Sequence, residues 1–295
     1  MTRRFARRRV LGIAPLAWIA ILLYVAFLLY PLVKGALISL TDENPLNAHS
    51  SFVGFANYAE LVTDTQLLAS LQFTIVVVVA VTIGANTLGL LFALLLNKGT
   101  ALFRILRTLI FIPQVLSGVI VAFIWRSILT QDGLLNVVLL DLHIIQQPVS
   151  WLGTPQLATM SVSVVVIWIT TGFAAVVYSA SLQSVPTELY EAARVDGASA
   201  FARFRHVTWP MIAPGVTITV VLCFITTFKL YDVIAVLTGG GPADSTRSTA
   251  FYVVQQAFTS NRFGYSSAIA IVLFILTAVV AYVATALLRR REERI

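Results

Sequence analysis

The sequence predicts an all-α membrane protein that crosses the bilayer six times. The chain of 295 residues is 58% hydrophobic and only 11% charged, whereas soluble domains average about 25% charged residues. Its apolar residues are gathered into six stretches, each long enough to cross the hydrocarbon core as a helix of roughly 20 residues. Its basic residues are concentrated in alternate connections, which is typical of a multi-pass protein with one fixed orientation.

The six apolar stretches are the predicted spans of a single transmembrane domain covering residues 1–295. They lie at about residues 10–33, 71–96, 108–129, 157–182, 211–237 and 266–288. An arginine-rich N-terminus precedes the first stretch, as in a signal peptide. That stretch is longer than the apolar region of a signal peptide and lacks a clear small-residue cleavage site, so we expect a retained anchor.

The distribution of Lys and Arg sets the predicted orientation. Fifteen of the 20 basic residues fall in the N-terminal segment, the second and fourth connections and the C-terminal tail, and only three fall in the other connections. Because basic residues are enriched in cytoplasmic loops, both termini are predicted to be cytoplasmic. The fourth connection, residues 183–210, is then cytoplasmic too, in a multi-pass protein of the cell membrane.

The fourth connection is polar and is predicted to form two short helices. Thr187 is the predicted N-cap of the first helix, and Glu188 lies in its first turn, where an acidic side chain complements the helix dipole. Gly197 is expected to end this helix at the C′ position. A second helix is predicted from about Ser199 toward Val207, with Pro210 ending it.

Motifs for enzymatic chemistry are absent from the sequence. No GxxxxGK[ST] loop is present to hold nucleotide phosphates, and the three histidines are scattered along the chain. The one cysteine, Cys223, lies inside an apolar stretch and has no partner for an intrachain disulfide. Basic and aromatic residues do not interleave as in nucleic-acid binding proteins. We therefore expect no catalytic residue, no metal site, no cofactor bound by this chain and no nucleic-acid partner.

Polar residues at membrane depth are the candidates for a solute pathway. Lys229 and Asp232 are three residues apart in the fifth predicted span, where a continuous helix would allow them to pair, and Tyr231 lies between them. One interpretation makes these residues, with Trp168 second, the wall of a water-filled substrate site. The other makes Lys229 a snorkelling residue and Asp232 an anchor for the following loop. Both interpretations stay open.

One motif in the fourth connection resembles a known family. Glu191-Ala-Ala is followed after three residues by Gly197, and after nine more by Val207-x-Trp209-Pro210. This pattern resembles the EAA loop of binding-protein-dependent ABC importer permeases. The family has Ile where this chain has Val207 and Leu where it has Trp209, and the sequence does not predict what Trp209 does.

Other segments are similar to the carbohydrate-type subgroup of these permeases, of which the maltose and glycerol-3-phosphate "first" permeases are examples. They are Phe52-Val-Gly-Phe-Ala-Asn-Tyr58, Phe103-Arg104 with Phe111-Ile-Pro113, the stretch from Asp232 through Gly239-Gly-Gly-Pro242 to Thr246, and Gly264-Tyr-Ser-Ser-Ala268. With the EAA-like loop, the similar motifs extend over about residues 10–290.

The resemblance implies a fold, a function and a set of partners. The fold would be that of a type I ABC importer permease, with both termini in the cytoplasm. Such a permease pairs with a second homologous permease, sits on two ATPase subunits that carry the ATP and Mg²⁺, and contacts membrane lipid. An extracytoplasmic solute-binding protein delivers the carbohydrate, which crosses the membrane by alternating access.

The resemblance also implies that the fourth connection docks on one ATPase subunit and moves as a lever. The residues assigned to this coupling are Glu188, Glu191, Ala192, Ala193, Asp196, Gly197, Ala198 and Pro210. Ala192 and Ala193 allow close approach, and Glu191 can accept a charge-assisted hydrogen bond.

Two alternatives stay open. The chain could be a permease of the same superfamily for a non-sugar solute, although the glycine-rich loop and the Phe52–Tyr58 segment resemble the carbohydrate type. It could instead be a stand-alone secondary carrier, for which inverted repeats, broken helices or several intramembrane charges are expected. For the carrier, the sequence offers only the pair of Lys229 and Asp232.

Overall fold

The computed structural model describes residues 17–47, 49–96 and 100–292, and the part it describes is helical without any strand. In chain order the helices are α1 (Ala17–Ile38), α2 (Ala56–Thr63), α3 (Thr65–Leu95), α4 (Ala101–Val115), α5 (Gly118–Ile128), α6 (Leu134–Asp141), α7 (Pro155–Gln183), α8 (Thr187–Val195), α9 (Ala200–Met211), α10 (Ala213–Phe228), α11 (Asp232–Leu237), α12 (Thr249–Phe258) and α13 (Phe263–Glu292). The predicted all-α class is confirmed.

Four of these helices are individually long and apolar enough to cross a membrane, namely α1, α3, α7 and α13. Two further spans result if each bent pair is counted as one, with a bend of 101° between α4 and α5 and of 65° between α9 and α10. The prediction of six spans therefore corresponds to the upper count. In the described part of the chain, two of the six are broken helices.

The third predicted span, 108–129, is wrong as a continuous helix. The helix begins earlier, at Ala101, and stops at Val115, after which Leu116 and Ser117 are extended, with ψ of 147° and 135°. Pro113 lies in the last turn of α4, where its missing N–H and its ring weaken the helix. Hydropathy remains high across the break, so an apolar run does not reveal it.

The fifth predicted span, 211–237, also differs from the structure. Helix α10 ends at Phe228, and α11 begins separately at Asp232. The predicted ends of the other spans shift by several residues, because hydropathy marks apolar composition and not helix ends. The first prediction, 10–33, becomes α1 at Ala17–Ile38, and its residues 10–16 lie outside the described part.

The fourth connection forms the two predicted helices, and we call it the α8–α9 loop (residues 183–210). Pro186 is the N-cap of α8, so the predicted cap Thr187 is instead the first helical residue. Gly197 takes a φ of +75° and ends α8 as predicted. The amides of Gly197 and Ala198 donate to the carbonyl oxygens of Arg194 at 3.1 Å and Ala193 at 2.9 Å. This is the Schellman pattern, which fixes the turn without any side chain.

The predicted stop at Pro210 is wrong, because α9 continues through it to Met211. The turn before the proline is a π-helix, Phe204–Thr208, in which the Trp209 amide donates to the Phe204 carbonyl oxygen. This wider turn accommodates a residue that has no amide hydrogen. The chain then bends into α10, so the loop and the next helix are joined without a flexible linker.

The described residues fall into two compact units. One contains residues up to 64 with 253–274, and the other contains 65–252 with 275–292. In the first unit, buried Asn57 donates to the carbonyl oxygens of Ser39 and Thr41, both at 2.8 Å. The Phe52–Tyr58 segment thus has a structural role in its own unit. The single-domain assignment of residues 1–295 stays a prediction.

In the second unit, α3 packs closely against α7 through small residues. A Cβ placed on Gly89 would lie 2.5 Å from the Cβ of Ala174, so only glycine permits this approach. Helix α10 packs on the same pair, and Val81, Val162 and Cys223 are among the buried residues of the shared core. This three-helix core positions the candidate site.

Candidate functional site

A cavity of about 350 Å³ opens where α4 breaks from α5, and we call it the central cavity. Its volume lies within the range of about 300–1,000 Å³ typical of small-molecule sites. It combines apolar side chains with hydroxyl, amide and carboxylate groups drawn from four helices and their connections. Its lining residues are Gln114, Leu116, Gly118, Val166, Ile169, Thr170, Phe173, Leu222, Cys223, Thr226, Thr227, Leu230, Asp232 and Val233.

Asp232 lies against the first turn of α5. A Cβ built on Gly118 would come within 1.9 Å of Asp232 Oδ2, so glycine at this position makes room for the carboxylate. The N-terminus of an α-helix carries a partial positive charge, which stabilises a nearby anion. The helix break therefore produces both the cavity and the place where its carboxylate is held.

Thr227 presents a hydroxyl group that lacks a partner. This residue is 3% exposed, and its Oγ1 has no hydrogen bond in the described structure. Two neighbouring threonines differ, since Thr170 and Thr226 donate to the carbonyl oxygens of Val166 and Leu222 at 2.5 and 2.8 Å. An unpaired buried hydroxyl costs about 1–3 kcal/mol. Thr227 lines the cavity, but its unpaired oxygen is itself buried, so the oxygen would reach an occupant only if the side chain turned toward the cavity.

The predicted pathway residues separate in the structure, and only Asp232 lines the central cavity. Lys229 is the exposed C-cap of α10 and forms no ion pair with Asp232. The pairing that a continuous helix would allow is not formed, because the chain leaves helical geometry at Lys229. Tyr231 stacks on Phe251 with ring centroids 5.8 Å apart, and Trp168 packs edge-on against Trp125 at 5.6 Å.

Sequence reasoning missed several polar members of the cavity, above all Thr227. A threonine in an apolar span normally bonds to its own helix backbone, and Thr170 and Thr226 behave in this way. Nothing in the sequence distinguishes Thr227 from them. Gln114 was not missed: as an amide inside an apolar stretch directly after Pro113, it is a weaker candidate from the sequence.

The α8–α9 loop exposes most of the residues that the EAA resemblance singles out. Glu188, Glu191, Ala192, Asp196 and Gly197 are exposed, while Ala193, Ala198 and Pro210 are half-buried. Apolar side chains beside them are also exposed, with Val195 at 88% and Phe201 at 71%. Exposed apolar groups next to acidic ones form a surface suited to contact with another protein.

A buried apolar cluster joins this loop to the spans. Tyr178, Leu182 and Ile212 are at its centre, and Tyr190 and Trp209 pack against it from the loop. Trp209 thus has a structural assignment, which the sequence did not provide: its ring fills space between α9 and the cluster. The Tyr190 hydroxyl also lies 3.1 Å from Thr208 Oγ1, which holds α8 against α9.

A polar network lies between this apolar cluster and the central cavity. The Tyr178 hydroxyl donates to Asn86 Oδ1 at 2.7 Å, and Thr219 Oγ1 donates to the Tyr178 hydroxyl oxygen at 2.9 Å. Asn86 Nδ2 in turn donates to the Thr82 carbonyl oxygen at 2.7 Å. The network links α3, α7 and α10, and one turn beyond Thr219 stands Cys223 in the cavity wall.

Residues 238–248, between α11 and α12, are folded tightly on themselves. Buried Thr246 donates to Thr238 Oγ1 at 2.8 Å. Arg247 is 4% exposed, lies 3.5 Å from Asp244 and stacks 4.7 Å from the centre of the Tyr252 ring. The glycine-rich sequence therefore corresponds to a defined structure.

Comparisons with known proteins agree with this architecture. Residues 85–294 match the family described as binding-protein-dependent transport system inner membrane component. The chain is 33% identical to a multiple sugar-binding transport system permease, MsmF of Streptococcus mutans, over 93% of this chain and 94% of the relative. It is 34% identical to the trehalose/maltose transport system permease MalF of Thermococcus litoralis, over 85% of each.

The fold is also that of a solved transporter. A chain of the bacterial alginate ABC transporter, in complex with an alginate pentasaccharide-bound periplasmic protein, superposes with a TM-score of 0.84. The sequences are 21% identical, and the match covers 97% of this chain and 96% of the other. The structure thus has the fold of a type I ABC importer permease. By its sequence and its fold, the chain belongs to the family of inner membrane components of binding-protein-dependent transport systems.

Proposed function

We propose that the chain is the permease subunit of an ATP-driven importer that passes a carbohydrate across the cell membrane by alternating access. The observation that carries this proposal is the central cavity at a helix break, connected through buried groups to an exposed docking surface. Relatives that are sugar transport permeases support the choice of solute.

The cavity has the chemistry that a carbohydrate requires. Sugars present hydroxyl groups at their edges and apolar C–H groups on their faces. The hydroxyls can bond to Gln114 and Asp232, and to Thr227 once its side chain turns toward the cavity. The faces can pack on Phe173 and the aliphatic lining. Lys229, Tyr231 and Trp168 stay predicted pathway residues, and they would act only in a state where the pathway extends beyond this cavity.

The partners proposed are a second homologous permease, two ATPase subunits that carry ATP and Mg²⁺, and a solute-binding protein outside the cell. This chain itself is non-catalytic and binds no cofactor. The positive-inside rule supports cytoplasmic termini and a cytoplasmic α8–α9 loop. The family description, which includes dependence on a binding protein, supports the binding-protein partner.

The α8–α9 loop couples the ATPase to the spans. Glu188, Glu191, Ala192, Ala193, Asp196, Gly197, Ala198 and Pro210 form or shape its docking surface. Glu191 is exposed and can accept a charge-assisted hydrogen bond from the ATPase. The Schellman turn and the unbroken passage of α9 through Pro210 make the loop stiff. A displacement at α8 therefore reaches α10 and the cavity wall and shifts the equilibrium between inward-open and outward-open states.

The function is tested by reconstituting the chain with its co-expressed partners in proteoliposomes, with ATP inside and the loaded binding protein outside. We expect ATP-dependent uptake of a carbohydrate, and its loss in Glu191→Ala at unchanged assembly. Asp141→Ala is a matched control, because Asp141 is an exposed acid at the end of α6, outside the α8–α9 loop. Uptake without the ATPase would favour a secondary carrier, and uptake of amino acids alone would favour a non-sugar permease.

A further inference from the structure

We propose that the central cavity selects uncharged, hydroxyl-rich solutes and rejects anionic ones, with Asp232 as the residue that sets this preference. The inference rests on the proposed function, because it assumes that the solute passes through this cavity. It goes further by assigning the charge of the solute class to one side chain.

The first step is the charge of the cavity wall. Of the residues that line the central cavity in the described structure, Asp232 alone carries a formal charge. Lys229, three residues earlier, is exposed and outside the lining. Arg126 donates to the Val236 carbonyl oxygen at 3.2 Å and lines a separate groove with residues of the 238–248 loop. Among the described residues, no basic side chain of the lining therefore offsets the carboxylate inside the cavity.

The second step is the start of α5, which would otherwise attract an anion. A helix N-terminus directed at a cavity is a natural site for a phosphate, sulfate or carboxylate group. Here the Asp232 carboxylate lies beside the first residue of α5, with Oδ2 within 1.9 Å of the place that a Cβ of Gly118 would take. An anionic solute drawn to the start of α5 would therefore meet a like charge next to it.

The third step is the unpaired hydroxyl of Thr227. This oxygen is buried and lacks a hydrogen bond, and its residue belongs to the cavity wall. A turn of the Thr227 side chain toward the cavity would let an occupant that offers a hydroxyl satisfy it. An uncharged solute can do this without bringing a second charge beside Asp232. Thr227 and Asp232 thus favour the same class of occupant: Thr227 would bond to a hydroxyl group of the solute, and Asp232 repels an anionic solute.

The test measures the cavity's charge directly and needs no known solute. Cys223, the one cysteine of the chain, is replaced by Ser. Thr226→Cys then places a reporter thiol at an exposed lining position, one helical turn from residue 223. In the complete transporter, the thiol reacts with a cationic or an anionic methanethiosulfonate reagent of similar size. The rate constant for each reagent is divided by the rate constant of the same reagent with a free thiol in solution. The readout is the ratio of the corrected rate for the cationic reagent to that for the anionic reagent.

We expect this ratio to be about ten or more, because a single carboxylate in a partly desolvated cavity attracts the cationic reagent and repels the anionic one. Asp232→Asn, which keeps the side-chain shape, should bring it close to one. Arg290→Gln is the control, because it removes one exposed charge on α13 outside the cavity lining, and it should leave the ratio unchanged. A ratio at or below one with the reporter alone, or an unchanged ratio in Asp232→Asn, would overturn the inference.

The ratio measured with the reporter alone needs no variant of Asp232. The inference can therefore be tested even if Asp232→Asn does not fold. A failure of the proposed function looks different. In that case the reactivity ratio holds as expected, but the reconstituted transporter takes up no carbohydrate.

Discussion

The α8–α9 loop and the central cavity hold their polar groups in opposite ways. In the loop, Glu191 and Asp196 are exposed, and the shape comes from local backbone bonds such as the Schellman turn at Gly197. In the cavity, Asp232 and Thr227 are held by packing between separate helices, with little local bonding. The loop should therefore be sensitive to changes of backbone conformation, and the cavity to changes of volume and side-chain chemistry.

The largest effect is expected at the loop's turn, with Gly197→Leu. The left-handed conformation costs a non-glycine residue about 1–2 kcal/mol, so the turn should open although no atom lies within 4 Å of an added Cβ. We expect uptake to be abolished while the protein still inserts and assembles, measured by uptake and by co-purification of the ATPase. Gly35→Ala is the control, as that glycine has open space and no positive φ. Normal uptake and coupled ATP hydrolysis in Gly197→Leu would contradict the lever.

The next effect is expected in the cavity, with Gly118→Ala. The added methyl group would meet the Asp232 carboxylate at 1.9 Å, so the carboxylate or the start of α5 must move. Overpacking of this kind costs about 1–3 kcal/mol, and we expect uptake to fall about tenfold. Gly84→Ala should cost less, because its nearest contact at 2.7 Å is the flexible end of Ile167. Equal uptake by the two variants would show that the position of Asp232 does not matter.

A smaller and more specific effect is expected between the two regions, with Tyr178→Phe. Loss of the hydroxyl removes hydrogen bonds to Asn86 and Thr219 and costs about 1–3 kcal/mol in a buried site. We expect ATP hydrolysis to continue while uptake per ATP falls several-fold, since the link from loop to cavity is weakened. Tyr282→Phe is the control, because Tyr282 is 77% exposed on α13. A parallel fall of both activities would indicate general destabilisation instead.

The smallest effect is expected for Trp209→Leu, which restores the residue of the related family. The ring packs on Phe204, with centroids 6.3 Å apart, and on the apolar cluster of Tyr178 and Ile212. Leucine keeps apolar contact but fills less space. We therefore expect the free energy of unfolding to fall by about 1 kcal/mol and uptake to change less than about twofold. A complete loss of uptake would show that Trp209 contacts the ATPase directly.

The structure also corrects one expectation about classes of transporter. Broken helices were expected of a secondary carrier, yet two bent pairs occur in this ABC permease. A break serves any transporter whose solute site lies at membrane depth, because it frees backbone groups and space where side chains converge. Broken spans therefore do not separate the two classes.

Much of the loop was predictable from the sequence. Glycine at a helix end and an acidic first turn act within a few residues, and Gly197 and Glu188 lie where those rules place them. The second helix begins at Ala200, directly after Ser199, where its start was predicted. The misplaced cap at Thr187 is an error of one residue. Pro210 was misjudged because the π-turn that accommodates it depends on how α9 packs.

The sequence by itself determined the helical class, the apolar spans and the α8–α9 loop, because hydropathy and helix signals are local properties of the chain. Only the tertiary structure decided that Asp232 lies at the start of α5 and that Lys229 stands apart from it. It also decided that the Tyr178 hydroxyl forms hydrogen bonds with Asn86 and Thr219. Those groups are far apart in the sequence, or separated by a helix break that hydropathy does not register, so their proximity depends on how three spans pack.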